Sequence, residues 1–154
     1  ASGKIVSAFD IASVLAIGAD WANSARGFMF AIGCIQSQSC HTNKCPTGVA
    51  TQDALRQRAL VVPDKAQRVF NFHRNTLKAL AEMLAAAGLE HPSQLSAKHL
   101  VRRMSATEIK LFSQLHVFLK PGELLTGEVN GEFYSRMWQM ARADSFEPQE
   151  VVAA

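Results

Sequence analysis

The chain has 154 residues, 48% of them hydrophobic and 19% charged, a mixture that excludes an intrinsically disordered segment. The formal net charge is only +3, and the densest basic run is Arg102-Arg103, which excludes the concentrated basic face of a nucleic-acid binder. No apolar run reaches the roughly 18 residues of a membrane span, and Phe28 to Ile35 is short and ends in polar residues.

The chain opens on Ala1 rather than Met, so a processed, trimmed or excised chain is expected, and no secretory leader is expected from its first residues. Ser2-Gly3-Lys4 forms a turn. Ser7 is placed to cap a helix from Ala8 to about Ile17, with Asp10 completing an S-x-x-D capping arrangement and Gly18 stopping it. Ala19 to Asn23 reads as a short buried strand, and Ser24 to Gly33 returns to helical composition. This order is the rhythm of βα units in a parallel sheet, an α/β pattern. Residues 34–52 form a loop, and a short helical turn is expected at Ala54 to Arg58. Pro63 fits the first turn of a long helix to about Ala87, closed by Gly88. Val69, Phe70, Leu77, Leu80, Met83 and Leu84 supply its apolar face.

Ser93 and Ser96 are each expected to start a short helix. Ser105-Ala106-Thr107-Glu108 reads as a capping box opening a helix to about Leu119. Pro121-Gly122 and Asn130-Gly131 are turns. Glu132 to Arg142 is helical, presenting Phe133, Met137, Met140 and Ala141, and the last eight residues are expected to fray. Two parts result: residues 1–62, a broken βα region, and residues 63–154, a helical carboxy-terminal region. One or two strands do not complete a parallel sheet, whose strands are normally buried on both faces between neighbours. The first part is therefore expected to need further strands.

Cys34, Cys40 and Cys45 all fall within twelve residues, an odd number unlike a secreted disulfide scaffold, so the cytoplasm is the expected compartment. Thiolates prefer iron–sulfur clusters, zinc and copper(I). Pro46 follows Cys45, and a Cys-Pro ending also occurs in ferredoxin cluster loops. Three nearby ligands suit a three-iron cluster. Zinc held by three cysteines and His41 is the rival, although neither gap is as short as a zinc knuckle. Three free thiols remain the plain alternative. Two turns suit a phosphate: Ser2-Gly3-Lys4 ahead of the first helix, and Ser24-Ala25-Arg26 ahead of the second, where Arg26 offers a bidentate partner.

The run Gly18-Ala19-Asp20-Trp21-Ala22-Asn23-Ser24-Ala25-Arg26, then Gly33-Cys34-Ile35-Gln36, then Cys40 through Gln52 (CHTNKCPTGVATQ), resembles the FMN-binding domain of glutamate synthases. The likeness is nearest to the shorter stand-alone members of that family. It covers most of the chain, loosely in the tail. The resemblance implies a (β/α)8 barrel, with residues 1–33 as the end of strand seven, helix seven, strand eight and the start of the last helix. It implies that Cys34, Cys40 and Cys45 bind a 3Fe-4S cluster. Ser2, Gly3, Lys4, Ala25 and Arg26 inherit the FMN phosphate site, with Lys4 standing where a second Gly is common.

Family members take electrons from ferredoxin or a pyridine-nucleotide partner and reduce 2-iminoglutarate to glutamate. The imine forms from 2-oxoglutarate and ammonia released from glutamine. The flavin-ring and 2-oxoglutarate contacts lie upstream in the family, as does the amidotransferase domain. The resemblance therefore names no catalytic residue here, and His73 and His99 read as surface or packed histidines. A chain of this extent is expected to hold FMN poorly alone, and to need the missing barrel segment or self-association to cover its apolar faces. A metal-binding or helical interaction module, and a truncated remnant without activity, are the alternatives.

Overall fold

The computed structural model describes residues 1–127, 129 and 131–149. Asn130 of the expected Asn130-Gly131 turn, and residues 150–154 of the tail expected to fray, lie outside the described residues. Helix α1 spans Ala8–Ala16. Its start is set by the expected capping box: the Ser7 hydroxyl accepts from the Asp10 N–H at 3.2 Å, and the Asp10 carboxylate accepts from the Ser7 N–H at 2.8 Å. The Val6 N–H donates to the same carboxylate at 3.1 Å. These donors hold the Asp10 carboxyl below the usual carboxylate range, the Ser7 amide foremost. Ala8, Ala12 and Ala16 recur every fourth residue and form the buried face.

Ala19 to Asn23 does not form the expected buried strand. One isolated parallel bridge joins Ser2 to Asn23, supported by the Asn23 N–H donating to the Ala1 carbonyl at 2.8 Å. A ladder needs flanking backbone, and only Ala1-Ser2 runs alongside, so Trp21 is 71% exposed.

Helix α2 spans Arg26–Ala31 and closes in a Schellman motif, shorter than the expected Ser24 to Gly33. Gly33 takes φ 103°, its N–H donates to the Phe30 carbonyl at 3.0 Å, and the Cys34 N–H donates to the Met29 carbonyl at 2.9 Å. A short 3-10 turn at Cys40–Thr42 and helix α3 at Ala54–Gln57 follow. Asp53 caps α3, accepting from the Leu55 N–H at 2.9 Å and the Arg56 N–H at 3.1 Å.

Helix α4, Val62–Ala86, has Pro63 in its first turn and ends at Gly88, close to the expected bounds. Leu80 and Leu84 pack against Ala8 and Ala12 of α1, joined by Ile11, Ala79, Met83, Leu89 and Leu95. The Phe28 and Phe72 rings meet edge to face at 5.1 Å, joining α2 to α4. Phe70 and Leu77, expected on the buried face, are 55% and 50% exposed, because α1 and α2 do not close over them; Leu77 stands at the rim of a cavity it shares with Ile11, Leu15 and Phe28.

Beyond Gly88 the helical expectation is corrected in part. A 3-10 turn at Pro92–Gln94 is capped by the His91 ring rather than by Ser93, and Ser96 opens a bend closed by the His99 N–H at 2.9 Å, not a helix. Val101–Arg103 (β1) pairs antiparallel with Ile109–Leu111 (β2), where a helix from Ser105 was expected. The Ser105 hydroxyl accepts from the Thr107 N–H at 3.2 Å, and the Glu108 carbonyl accepts from the Met104 N–H at 2.9 Å, which makes a turn. Helices α5 (Phe112–Leu115), α6 (Glu123–Thr126) and α7 (Glu132–Met140) complete the tail. Of the face expected on α7, Phe133 and Met137 are exposed.

The accessible surface is 11586 Å², about half as much again as the roughly 7,700 Å² of a folded monomer this long. Among the described residues, no large side chain is fully buried. Among them, too, no helix is long and apolar enough to cross a membrane.

Candidate functional site

The two turns singled out for phosphate lie side by side. The Ser2–Asn23 bridge joins them, and the Ser24 hydroxyl donates to the Ile5 carbonyl at 2.8 Å. Gly3 has φ 104° and Lys4 φ 55°, so two successive residues take left-handed backbone. That conformation disfavours any side chain at residue 4, which gives a physical sense to glycine at this place. The capping box engages the Ser7 and Asp10 N–H groups and sets a carboxylate at the start of α1, which opposes a second anion there. No side chain caps α2, whose first residue is Arg26.

A cavity of about 370 Å³ opens beside α2. Ala25, Arg26 and Met29 form one wall, and Cys34, Gln36, Gln38 and Cys40 form the other. The structure thus brings one candidate phosphate turn and two of the three cysteines onto one cavity. Ser2, Gly3, Lys4 and Cys45 do not line it. Cys34 is placed by the Schellman closure of α2. Cys40 is exposed at the start of the 3-10 turn, after a stretch in which Gln36 and Gln38 take φ 56° and 57°.

Cys45 is buried, with 5% of its surface exposed. The Thr47 hydroxyl lies 3.5 Å from its sulfur. That hydroxyl, and after it the N–H groups of Ala50 and Thr47, bring the thiol down to about 7 against the opposing effect of burial, with the Val49 N–H adding a smaller share. A clamp closes the loop around it. Asn43, at φ 62°, accepts on its side-chain oxygen from the Gln52 N–H at 2.6 Å. The Thr51 hydroxyl reaches the Asn43 carbonyl at 2.7 Å, and the Gln57 amide donates to the Thr51 carbonyl at 2.8 Å. Gly48 has φ 78°, and a Cβ there would run into the Arg56 carbonyl oxygen. The cysteines, and Asn43 as one of the small polar residues that allow a tight loop, are legible in the sequence, whereas the parts played by Thr47, Gly48, Thr51 and Gln57 are not. The one local signal was Asn43, a residue type that tolerates left-handed backbone.

Among the described residues, no three His, Cys, Asp or Glu side chains gather closely enough to hold one metal ion. His41 is exposed and joins no such group. A tetrahedral zinc ion with Zn–S bonds near 2.3 Å needs its sulfurs only about 3.8 Å apart. A three-iron cluster takes one thiolate per iron and so accepts more widely spaced sulfurs. The donor chemistry suits such a cluster: three soft ligands, one of them buried among N–H and O–H donors that favour negative sulfur.

The family described as the conserved region in glutamate synthase matches residues 1–90, more than half of the sequence. The chain belongs to the glutamate synthase family. It is 43% identical over 120 residues to the glutamate synthase large subunit-like protein YerD of Bacillus subtilis (strain 168), covering 77% of this chain and 23% of that protein. Against an archaeal-type glutamate synthase (NADPH) of Dehalococcoides mccartyi it is 31% identical over 113 residues, covering 71% and 23%. Against ferredoxin-dependent glutamate synthase 2 of Synechocystis sp. it is 35% identical over 91 residues, covering 58% and 6%. The chain thus spans about a quarter or less of the length of these curated relatives. No solved structure matches it.

Proposed function

We propose that this chain is the part of a glutamate-synthase-type oxidoreductase that ligates a 3Fe-4S cluster and completes the FMN phosphate site, as the end of a (β/α)8 barrel. In this reading Cys34, Cys40 and Cys45 hold the cluster. Arg26 and the α2 amides, with Ser2, Gly3 and Lys4 on the neighbouring turn, face the FMN phosphate. Once bound, the two groups supply electron transfer and the reduction of 2-iminoglutarate, formed from 2-oxoglutarate and ammonia, to glutamate. The protein's share is to hold the three sulfurs as thiolates, to neutralise phosphate charge with Arg26, and to keep the two sites adjacent.

One observation carries the reading: Arg26 shares a cavity with Cys34 and Cys40. The same nearness would bring cluster and flavin within reach of each other. Similarity to one NADPH-type and one ferredoxin-dependent glutamate synthase favours a reduced ferredoxin or a pyridine-nucleotide-linked partner as donor. The large uncovered surface favours further barrel strands, or a second copy of the chain, against α1 and α4. Clustered free thiols favour the cytoplasm. Catalysis on this reading belongs to the longer protein and not to these residues alone. Iron, sulfide and flavin analysis of the full-length protein tests it. Bound iron with flavin supports the proposal, and zinc without iron, or a colourless protein with three free thiols, overturns it.

A further inference from the structure

Among the described residues, the buried sulfur of Cys45 has one side-chain neighbour able to donate to it, the Thr47 hydroxyl at 3.5 Å. Among the described residues that hydroxyl has no other hydrogen-bond partner. In the free thiol either atom can donate. Once the sulfur is bound to iron it has no proton, so the hydroxyl must be the donor.

The loop offers Thr47 little alternative. The Gly48 N–H donates to the Cys45 carbonyl at 3.4 Å, which folds residues 45–48 into a turn and puts the Thr47 side chain on the sulfur's side. The Asn43–Thr51–Gln57 clamp closes the loop from outside with bonds of 2.7 and 2.8 Å. Cys34 and Cys40, by contrast, border the open cavity, and no hydrogen bond to either sulfur occurs among the described residues. The environment of the three ligands is therefore unequal. A hydrogen bond to a ligand sulfur withdraws electron density and stabilises the more reduced, more negative cluster.

We infer that Thr47 is a positioning residue for the cluster: its hydroxyl donates to the Cys45 sulfur and raises the reduction potential of the iron site that Cys45 binds. The inference rests on the cluster reading above. The full-length protein is titrated with dithionite in the presence of mediators while the cluster is followed by electron paramagnetic resonance. Thr47→Val keeps the shape and removes the hydroxyl, and Thr47→Ser keeps the hydroxyl. The expected result is a lower potential for Thr47→Val and a potential restored towards wild type for Thr47→Ser, with iron content unchanged. Equal potentials in all three proteins, each fully loaded with iron, overturn the inference while the cluster reading stands. Wild-type protein without iron overturns both. Should Thr47→Val fail to fold, Thr47→Ala, which also removes the hydroxyl, takes its place beside Thr47→Ser. A lower potential in Thr47→Ala than in Thr47→Ser, both loaded with iron, supports the hydroxyl as donor, and equal potentials overturn it.

Discussion

At residue scale the account turns on a few atoms near Cys45. Gly48 combines a positive φ of 78° with a backbone carbonyl where a Cβ would stand. Gly48→Ala is expected to destabilise the protein by about 2 kcal/mol or more, read as a lower urea midpoint. An unchanged midpoint would show that the turn tolerates a side chain. The thiol of Cys45, drawn down to about 7, sets a pH dependence in the metal-free protein. An acidic group whose pKa falls on folding stabilises the fold in its charged form. That contribution is present above the unfolded cysteine range, near 8.5, and is lost as the pH falls through about 7. The metal-free wild type should therefore gain stability relative to Cys45→Ser between about pH 6 and about pH 9. Parallel unfolding midpoints across that range would contradict it. The identity of the three cysteines was legible in the sequence, since residue type and spacing are local. The donors around Cys45 were not. They are the Thr47 hydroxyl and the N–H groups of Ala50, Thr47 and Val49, gathered round the sulfur only after the Asn43–Thr51–Gln57 clamp has closed the loop.

At the scale of elements, legibility followed the range of the interactions. Helix α1 was readable in start and stop because Ser7, Asp10 and Gly18 act on their own neighbourhood. The length of α4 was readable from Pro63 and Gly88, but its buried face only in part. Leu80 and Leu84 are inside, while Phe70 is 55% exposed and Leu77, 50% exposed, stands at the rim of a cavity it shares with Ile11, Leu15 and Phe28. The β1–β2 hairpin was hidden because Ser105 and Glu108 satisfy a helix-start pattern as well as a turn. The choice was made by cross-strand pairing of Val101 with Leu111 and Arg103 with Ile109, which a local pattern does not reveal. Packing of α2 on α4 depends on Gly27, buried where a Cβ would stand 2.8 Å from both the Phe72 ring and the Ser24 hydroxyl. Gly27→Ala should cost about 1–3 kcal/mol in thermal or urea unfolding, because α2 must move off α4. It should also disturb Cys34, whose N–H is tied to Met29 at the end of the same helix. Wild-type stability in that variant would mean that Phe72 swings aside freely.

At the scale of the whole molecule, the packed core cluster among the described residues is Ala8 and Ala12 of α1 against Leu80 and Leu84 of α4, with a partly covered shell. The surface left open is larger than a folded monomer of this length exposes. Trp21, Ile17, Phe70 and Leu77 are exposed, and among the described residues the one parallel bridge is Ser2 to Asn23. The site has the same character: one cysteine seated in a finished cradle and two on an open cavity beside Arg26. The most direct measurement of the central claim is the iron content and paramagnetic resonance of the full-length protein with each cysteine replaced in turn by serine. The account predicts three irons per chain with a spin-half signal in the oxidised wild type, and loss of that signal in each of Cys34→Ser, Cys40→Ser and Cys45→Ser. A wild type without iron, or a cluster that survives intact in any one of the three variants, would contradict it.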